Sequence, residues 1–323
     1  MKRFFDTLRN IWTIEELRQR ILMTLGLVLV YRLGSFVVLP GVNVDELGKT
    51  GSSNAAGGIV GLINMFAGGA FLRASIFGLG IMPYITASII IQLLGMAVPY
   101  FQKMQREGES GRKKINQFTR LLTIGVTAVQ APGYIASIKA NAPNAFPYID
   151  STMWWIQTIL ILVTGTMFVM WLGERITDKG LGNGISLIIM IGIISRLPFA
   201  FLSEIKHRTS GNGGLIILLI EIVILLLVVV GSILLVQGTR RIPVQFAKKI
   251  VGNKQYGGVR QYIPLKVNAA GVMPIIFAQA IMFIPVAIAG FQSSSGGIFQ
   301  ERYSFWYNAI FAVLIIVFTY FYT

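Results

Sequence analysis

The feature that most constrains this chain is an apolar window that recurs along its whole length. Crossing the hydrocarbon core of a membrane takes about 17 to 25 mostly apolar residues in a helix. Windows of that length lie at about 21–38, 74–98, 121–138, 154–172, 184–201, 215–236, 269–289 and 305–323. The sequence therefore predicts an all-α fold, a polytopic membrane helix bundle with eight transmembrane helices.

The composition agrees with a membrane protein and argues against an enzyme. Of the 323 residues 54% are apolar and only 13% are charged, whereas about a quarter are charged in a typical soluble domain. The chain has no cysteine and one histidine, His207, so thiolate nucleophiles, disulfides and histidine clusters are excluded. It also lacks the GxxxxGK[ST] phosphate loop. We therefore expect no catalytic site, no metal and no other cofactor.

The basic residues fall mainly in alternate loops, which predicts the orientation of the chain. They concentrate in residues 1–20, 103–120, 175–179 and 237–268. Because cytoplasmic loops carry the excess of Lys and Arg, the N-terminus is expected in the cytoplasm. Residues 1–20 are expected to form an amphipathic helix on that surface, with Thr13 and Glu16 spaced as a capping box.

The basic loop at about 237–268 is long for a simple connection. Its alternating apolar residues are typical of a protruding hairpin. One interpretation is a docking surface for an acidic or RNA-containing partner, since basic side chains attract phosphate and carboxylate at long range. The other is that the charges only set the orientation of the chain.

One apolar stretch, "LINMFAGGAFLRASIFGLGIMPY" at 62–84, is interrupted by glycines, an arginine and a proline. A separate span at about 59–72 would move every later basic loop to the opposite side of the membrane. Fourteen residues of helix also reach only about 21 Å, which is too short to cross. We therefore expect a re-entrant segment, which a membrane protein tolerates only where protein or water encloses it. A buried segment with a packing role alone is the alternative.

Five blocks of the sequence resemble the SecY family, the central subunit of the bacterial protein-conducting channel. In chain order they are "YRLGSFVVLPGV" (31–42), "NMFAGGAFLRASIFGLGIMPYITASIIIQLL" (64–94), "REGESGRKKI" (106–115), "GERITDKGLGNGIS" (173–186) and "PLKVNAAGVMPIIFA" (264–278). The resemblance implies two inverted halves of five transmembrane helices, of which eight in total are present here. It divides the chain into an N-terminal half at 21–201, with a plug helix at about 57–73, and a partial C-terminal half at 202–323. Because the last apolar segment stops at Thr323 without a polar tail, we expect a truncated chain.

The resemblance also implies roles for individual residues. The plug, which blocks the closed channel, would include Ile63, Asn64, Met65, Phe66, Gly68 and Gly69. The pore ring, a seal of branched apolar side chains, would include Ile81, Ile85, Ile185, Ile189 and Ile276. The lateral gate toward lipid would include Thr86, Ser88, Gln92 and Asn268. Partner docking would use Arg106, Arg112, Lys113, Arg240, Arg241, Lys248 and Lys249.

The resemblance implies partners and a location as well. The implied partners are the SecE and SecG subunits, the SecA motor ATPase, the ribosome, signal sequences, translocating polypeptides and membrane lipid. The implied location is the bacterial cytoplasmic (inner) membrane. The implied function is to conduct unfolded secretory proteins across that membrane and to release membrane proteins sideways into it.

A secondary transporter is the alternative function, since that class also uses inverted repeats and broken helices. A transporter is expected to hold paired charged groups near the middle of the membrane, whereas only Glu221 lies deep in a predicted span. Charged groups such as Glu221 and Arg32 are costly in a membrane if they are unpaired. The sequence leaves open whether Glu221 pairs, reaches to the interface or stays protonated. An intramembrane hydrolase lacks a base, because His207 is predicted in an outer loop.

Overall fold

The computed structural model describes residues 12–50, 64–148, 151–209, 214–245, 249–251, 254–256, 260–271, 274–275, 277–278, 281–282 and 305–322. Most of this described part is helical, as the sequence predicts. Its helices are α1 (Glu15–Gly34), α2 (Val44–Thr50), α3 (Met82–Ala97), α4 (Pro99–Arg106), α5 (Glu109–Asn141), α6 (Thr152–Lys179), α7 (Gly184–Ile194), α8 (Leu197–Thr209), α9 (Gly214–Gln237) and α10 (Phe305–Tyr322).

Helices occupy most of the predicted membrane windows. Within the described residues, four spans are long and apolar enough to cross a membrane: α5, α6, α7 continued into α8, and α9. A fifth is added if α3 and α4 count as one bent span. Helices α1 and α10 lie at the first and last predicted windows. Most of the window at 269–289 lies outside the described residues.

The start of the first helix differs from the expected capping box. Helix α1 begins at Glu15, and Ile14 is its N-cap residue, without a capping hydrogen bond from a side chain. The predicted box at Thr13 and Glu16 is therefore wrong. Residues 15–20 continue directly into the first predicted span as one helix, and residues 1–11 of the expected surface helix lie outside the described residues.

The second span begins at Met82, eight positions after the predicted start at 74. Residues 67–81 form turns instead of helix. The backbone there adopts positive φ at Gly68, Gly69, Ala74 and Gly80, which a right-handed helix does not allow. Pro83 lies in the first turn of α3, a position where proline favours the start of a helix.

The basic stretch at 103–120 was predicted as a loop, and most of it is helical. Helix α4 bends by 100° away from α3. The bend follows from Pro99, because Val98 before it is extended at φ −111° and ψ 120°, as steric clash with a proline ring favours. Helix α5 then begins at Glu109, twelve residues earlier than the predicted span.

The fifth predicted span is a broken helix. A short interruption at Ser195 and Arg196 separates α7 from α8, and α8 continues to Thr209, beyond the predicted end at 201. His207 therefore lies in helix α8 and not in the loop that was predicted to hold it.

The basic loop contains the expected hairpin. Strands β1 (Thr239–Gln245) and β4 (Arg260–Lys266) pair antiparallel, with Thr239 opposite Lys266 and Gln245 opposite Arg260. Inside this ribbon, β2 (Lys249–Val251) and β3 (Lys254–Tyr256) form a second antiparallel pair. These four strands depart from the predicted all-α fold.

The elements pack as two units. Residues up to Pro198, with 279–311, form the first, and Phe199–Ala278 with Ala312–Thr323 form the second. The core of the first unit lies between the residues around Phe71 and two long helices, α5 through Tyr134 and Ile135 and α6 through Leu162. A second cluster in the same unit includes Ile81 and joins α1, α6 and α7.

Candidate functional site

The candidate site is built around residues 64–81, called the turn segment below. It begins with one helical turn at 64–66 and continues as turns to Ile81. This description covers the second part of the predicted plug, from Asn64 to Arg73. Ile63 and the earlier plug residues lie outside the described residues. Gly68 at φ +63° and Gly69 at φ +90° adopt a backbone conformation that favours glycine.

Asn64 accepts two hydrogen bonds that hold together the first residues of the turn segment. Its backbone oxygen accepts a hydrogen bond from the Gly69 amide at 2.8 Å, and its side-chain Oδ1 accepts one from the Leu72 amide at 3.1 Å. The residue is only 1% exposed. A side-chain amide therefore replaces the backbone pairing that a helix would provide here.

Neighbouring elements form further hydrogen bonds with backbone groups of the turn segment. Tyr134 on α5 donates a hydrogen bond from its hydroxyl to the Phe71 oxygen at 2.9 Å, and its ring meets that of Phe71 edge to face. The residues after α1 form two backbone hydrogen bonds with the turn segment. The Leu39 amide donates to the Ala74 oxygen at 2.8 Å, and the Ile76 amide donates to the Val37 oxygen at 2.9 Å. The segment is thus enclosed by protein, which is the condition for irregular backbone at membrane depth.

Two helix glycines allow α6 and α7 to contact the turn segment at the backbone. A Cβ atom added at Gly165 of α6 would lie 2.1 Å from the Ile76 oxygen. One added at Gly192 of α7 would lie 2.6 Å from the Phe66 oxygen. Both distances are far below van der Waals contact, so any larger residue at these positions would displace the segment or the helix.

Four of the five predicted pore-ring isoleucines come together in one apolar cluster. Ile81 is buried there, and Ile85, Ile185 and Ile189 pack against the cluster while remaining partly buried. The fifth, Ile276, lies outside the described residues. The structure thus groups residues from two predicted spans that are about one hundred positions apart in sequence.

The position of Ile185 and Ile189 depends on how α7 begins. The Asn183 side chain caps the helix by accepting hydrogen bonds from the amides of Ile185 and Ser186. Gly184 lies against α6 so closely that a Cβ there would be 2.1 Å from the Gly173 oxygen. The glycine-rich "GLGNG" thus fixes the start of α7 against α6.

The four predicted gate residues belong to two packing units. Thr86 is buried in α3 and donates a hydrogen bond to the Met82 oxygen of its own helix. Ser88 is half-buried and Gln92 is exposed on the same helix. In the second unit, Asn268 accepts a hydrogen bond from the nearby Gly271 amide. The gate therefore stays a prediction.

The predicted docking residues lie on regular elements. Arg106 ends α4, and Arg112 and Lys113 lie exposed near the start of α5. Arg240 and Arg241 are exposed on β1, and Lys249 begins β2. Lys248 lies outside the described residues. Since these side chains are exposed where the structure describes them, solvent and partners can reach them.

Sequence reasoning missed a group of three arginines at the turn segment. Arg32 donates a hydrogen bond from Nη1 to the Gly68 oxygen at 3.0 Å. A Cβ placed at Gly69 would lie 3.5 Å from Nε of Arg196 and 3.6 Å from Cζ of Arg73. The available signal was that Arg32 and Arg73 interrupt apolar sequence.

The acid predicted deep in a span has a partner. Glu221 on α9 accepts a hydrogen bond from Arg208 on α8 at 2.5 Å. Arg208 also contacts Glu204 one turn earlier on α8, at 2.9 Å. Of the three possibilities that the sequence left open for Glu221, the structure therefore shows pairing.

Comparison with known proteins identifies relatives of the chain. The family model named SecY matches residues 75–323. A protein named "Protein translocase subunit SecY" from Mycobacterium bovis is 39% identical over 343 residues, which cover 99% of this chain and 75% of that protein. A protein of the same name from Streptomyces scabiei is 40% identical and covers 87% of this chain and 66% of that protein.

Solved structures share the fold. "The structure of a protein conducting channel" aligns with a TM-score of 0.65 at 17% identity, covering 94% of this chain and 69% of the other. Sec61 in the canine ribosome-channel complex from the endoplasmic reticulum aligns with a TM-score of 0.63 at 16% identity, covering 93% and 69%.

Proposed function

This chain belongs to the SecY family, and from that membership we propose that it forms the protein-conducting channel of a translocase. Its relatives are named protein translocase subunits, and the fold matches that of channel structures. Its apolar helices make it a multi-pass membrane protein. The cytoplasmic membrane of a bacterium, with the N-terminus on the cytoplasmic side, is the location that the distribution of basic residues favours.

The observation that carries the proposal is the grouping of isoleucines from α3 and α7. Ile81, Ile85, Ile185 and Ile189 meet in one apolar cluster, and Ile81 is also the last residue of the turn segment. A ring of branched apolar side chains loses water at its narrowest point and so resists ions. The same side chains offer a passing polypeptide no polar group to bind. We therefore assign these four residues, with Ile276, to the pore seal.

The first part of the turn segment, from Asn64 to Arg73, is assigned to the plug. Its described part, with Asn64, Met65, Phe66, Gly68 and Gly69, is held by separate hydrogen bonds to a few neighbours instead of a continuous helical ladder. Each such bond contributes about 0.5–1.5 kcal/mol net. A segment fixed in this way can leave its place without unfolding a helix, which a reversible stopper requires.

The partners follow from the same proposal. The exposed basic residues on α4, α5 and the β1–β4 hairpin provide a surface for the SecA motor ATPase or the ribosome. SecE and SecG are the proposed subunits of the assembly. A lateral gate that includes Thr86, Ser88, Gln92 and Asn268 is proposed for signal sequences to leave toward lipid.

A secondary transporter is not favoured. Its mechanism needs charged groups free to bind an ion or a substrate near the middle of the membrane. Glu221 is instead paired with Arg208, which also holds Glu204. The relatives found are translocase subunits.

Site-specific crosslinking tests the channel. Because the chain has no cysteine, Ile81→Cys and Ile185→Cys each introduce a unique thiol. A secretory polypeptide is stalled in transit through membranes that hold the chain with its assembly partners, and a thiol-directed crosslinker is added. Both variants are expected to crosslink to the stalled polypeptide.

The matched control is Leu225→Cys on α9, whose side chain is 59% exposed on an apolar surface. It is expected to give no crosslink to the stalled polypeptide. Equal crosslinking from the control, or none from Ile81→Cys and Ile185→Cys, would overturn the assignment of these residues to the pore.

A further inference from the structure

Three guanidinium groups from three separate parts of the chain meet at the glycine pair of the turn segment. Arg32 comes from the last turn of α1, Arg73 from the turn segment itself, and Arg196 from the break after α7. Arg32 binds the Gly68 oxygen, and the other two lie within about 4 Å of the Cβ position of Gly69. The group, called the arginine triad below, surrounds one short piece of backbone.

The triad has no acidic partner in the part of the chain that the structure describes. The ion pairs found there use other basic residues, such as Arg120 with Glu174 and Arg208 with Glu221. Arg32 and Arg73 instead lie over the ring of Phe36, at 5.4 and 4.3 Å from its centroid. Nη1 of Arg73 is buried and has no hydrogen-bond partner among the described residues.

Three like charges in one place repel each other, more strongly where protein replaces water. The Gly68 carbonyl, the face of Phe36 and the carbonyl ends of α1 and α7 provide only partial negative charge. Buried charges in proteins are normally paired. A full negative charge at the triad would remove the repulsion and also satisfy the free Nη1 of Arg73.

We propose that Arg32, Arg73 and Arg196 bind a phosphate group, which the headgroup of an anionic phospholipid supplies. Guanidinium groups present planar pairs of N–H donors that match phosphate oxygens. Arg32 lies in the last turn of α1, and an arginine near the end of a membrane helix extends toward the level of the headgroups. Arg196 is exposed and Phe36 is 56% exposed, so a headgroup can reach the site from the surface of the protein.

This inference goes beyond the channel proposal and does not depend on it. It concerns a lipid site that would exist whether or not the turn segment acts as a plug. If a phosphate holds the triad together, it also holds the turn segment against α1 and α7, because Arg73 belongs to that segment.

Direct binding measurements test the site. The whole chain is purified in a mild detergent, and lipid is removed. It is then titrated with dihexanoyl phosphatidylglycerol, with inorganic phosphate and with dihexanoyl phosphatidylcholine, which carries no net charge. Binding is followed by isothermal titration calorimetry. Tighter binding of phosphatidylglycerol than of phosphatidylcholine is expected, by at least about tenfold.

The variants are Arg73→Gln and Arg196→Gln, with Arg175→Gln as the matched control. Arg175 also lies over an aromatic ring, that of Trp171 at 5.6 Å, but it is remote from the triad in sequence and belongs to α6. Each triad variant is expected to weaken phosphatidylglycerol binding about tenfold, and the control less than about twofold. Arg196 is exposed, so its variant is expected to fold even if the Arg73 variant does not.

The outcomes separate the possible sources of the phosphate. If inorganic phosphate binds as tightly as phosphatidylglycerol and responds to the same variants, the anion site stands and its ligand is free phosphate. Equal binding of phosphatidylcholine, or equal affinities in Arg196→Gln and Arg175→Gln, would overturn the proposal.

Discussion

Two apolar stretches of this chain differ in backbone regularity and in burial. The turn segment is irregular and mostly buried, whereas α9, also strongly apolar, is a regular helix with no part of its membrane window buried among the described residues. The difference follows from backbone hydrogen bonding. A helix satisfies its own amides and can face lipid, but an irregular segment must find partners in the surrounding protein.

Glycines in the two helices α9 and α6 also have different structural roles. Among the described residues, Gly231 of α9 has no atom within 4 Å of its Cβ position, whereas a Cβ atom at Gly165 of α6 would lie 2.1 Å from the Ile76 oxygen of the turn segment. No described neighbour requires the first to be a glycine. The second is required by a backbone contact that the sequence does not reveal.

The largest expected effect is a difference in the free energy of unfolding between alanine substitutions at these two glycines. Gly165→Ala is expected to lower the free energy of unfolding by about 1–3 kcal/mol or more, because the new methyl group overlaps a backbone oxygen. Gly231→Ala is expected to raise it by up to about 1 kcal/mol, since alanine is favoured inside a helix. Unfolding in mixed micelles of a mild detergent and sodium dodecyl sulfate measures both. Equal effects would contradict the close contact between α6 and the turn segment.

A smaller effect is expected from one hydrogen bond to the turn segment. Tyr134→Phe removes the bond from the hydroxyl to the Phe71 oxygen and is expected to lower the free energy of unfolding by about 0.5–1.5 kcal/mol. The loss stays moderate because the same oxygen also accepts from the Ala74 amide at 3.2 Å. Tyr320→Phe on α10, where the side chain is 84% exposed, is the control, and the same unfolding assay should show no change. A loss as large in the control would argue against an enclosed turn segment.

The smallest effect is expected at the acidic residue of α9. Glu221→Gln removes a charge but leaves a side-chain oxygen that can still accept from Arg208, and Arg208 keeps Glu204 as a partner. We expect the free energy of unfolding to fall by less than about 1 kcal/mol, because both side chains of the pair are partly exposed. The assay is again unfolding in mixed micelles, with Glu109→Gln on exposed α5 surface as the control. A loss of several kcal/mol would show that α9 depends on this pair far more than its exposure indicates.

Much of the fold could be predicted because membrane spans are set by local composition. The apolar windows locate α5, α6, α7 and α9, and alternating residues in the basic loop predict the β1–β4 hairpin. The exact starts of helices were less predictable. Helix α5 begins within a strongly charged stretch, since a charged sequence can be as helical as an apolar one when water surrounds it.

The candidate site was only partly predictable. The grouping of Ile81 with Ile185 was expected from the family resemblance alone, because on composition an isoleucine in a membrane helix could equally face lipid. The arginine triad was missed because its members lie at positions 32, 73 and 196, and no local pattern connects them. Only the packing of α1 and α7 against the turn segment brings these residues together.

The sequence by itself determined that the chain enters a membrane repeatedly and that one short stretch near residue 70 cannot cross it. Those conclusions rest on length, charge and backbone hydrogen bonding, which act locally. The tertiary structure decided what encloses that stretch, which glycines are contact points and where the charges of Arg32, Arg73 and Arg196 meet. These features depend on distances between residues far apart in the chain, and such distances are set only when the helices pack.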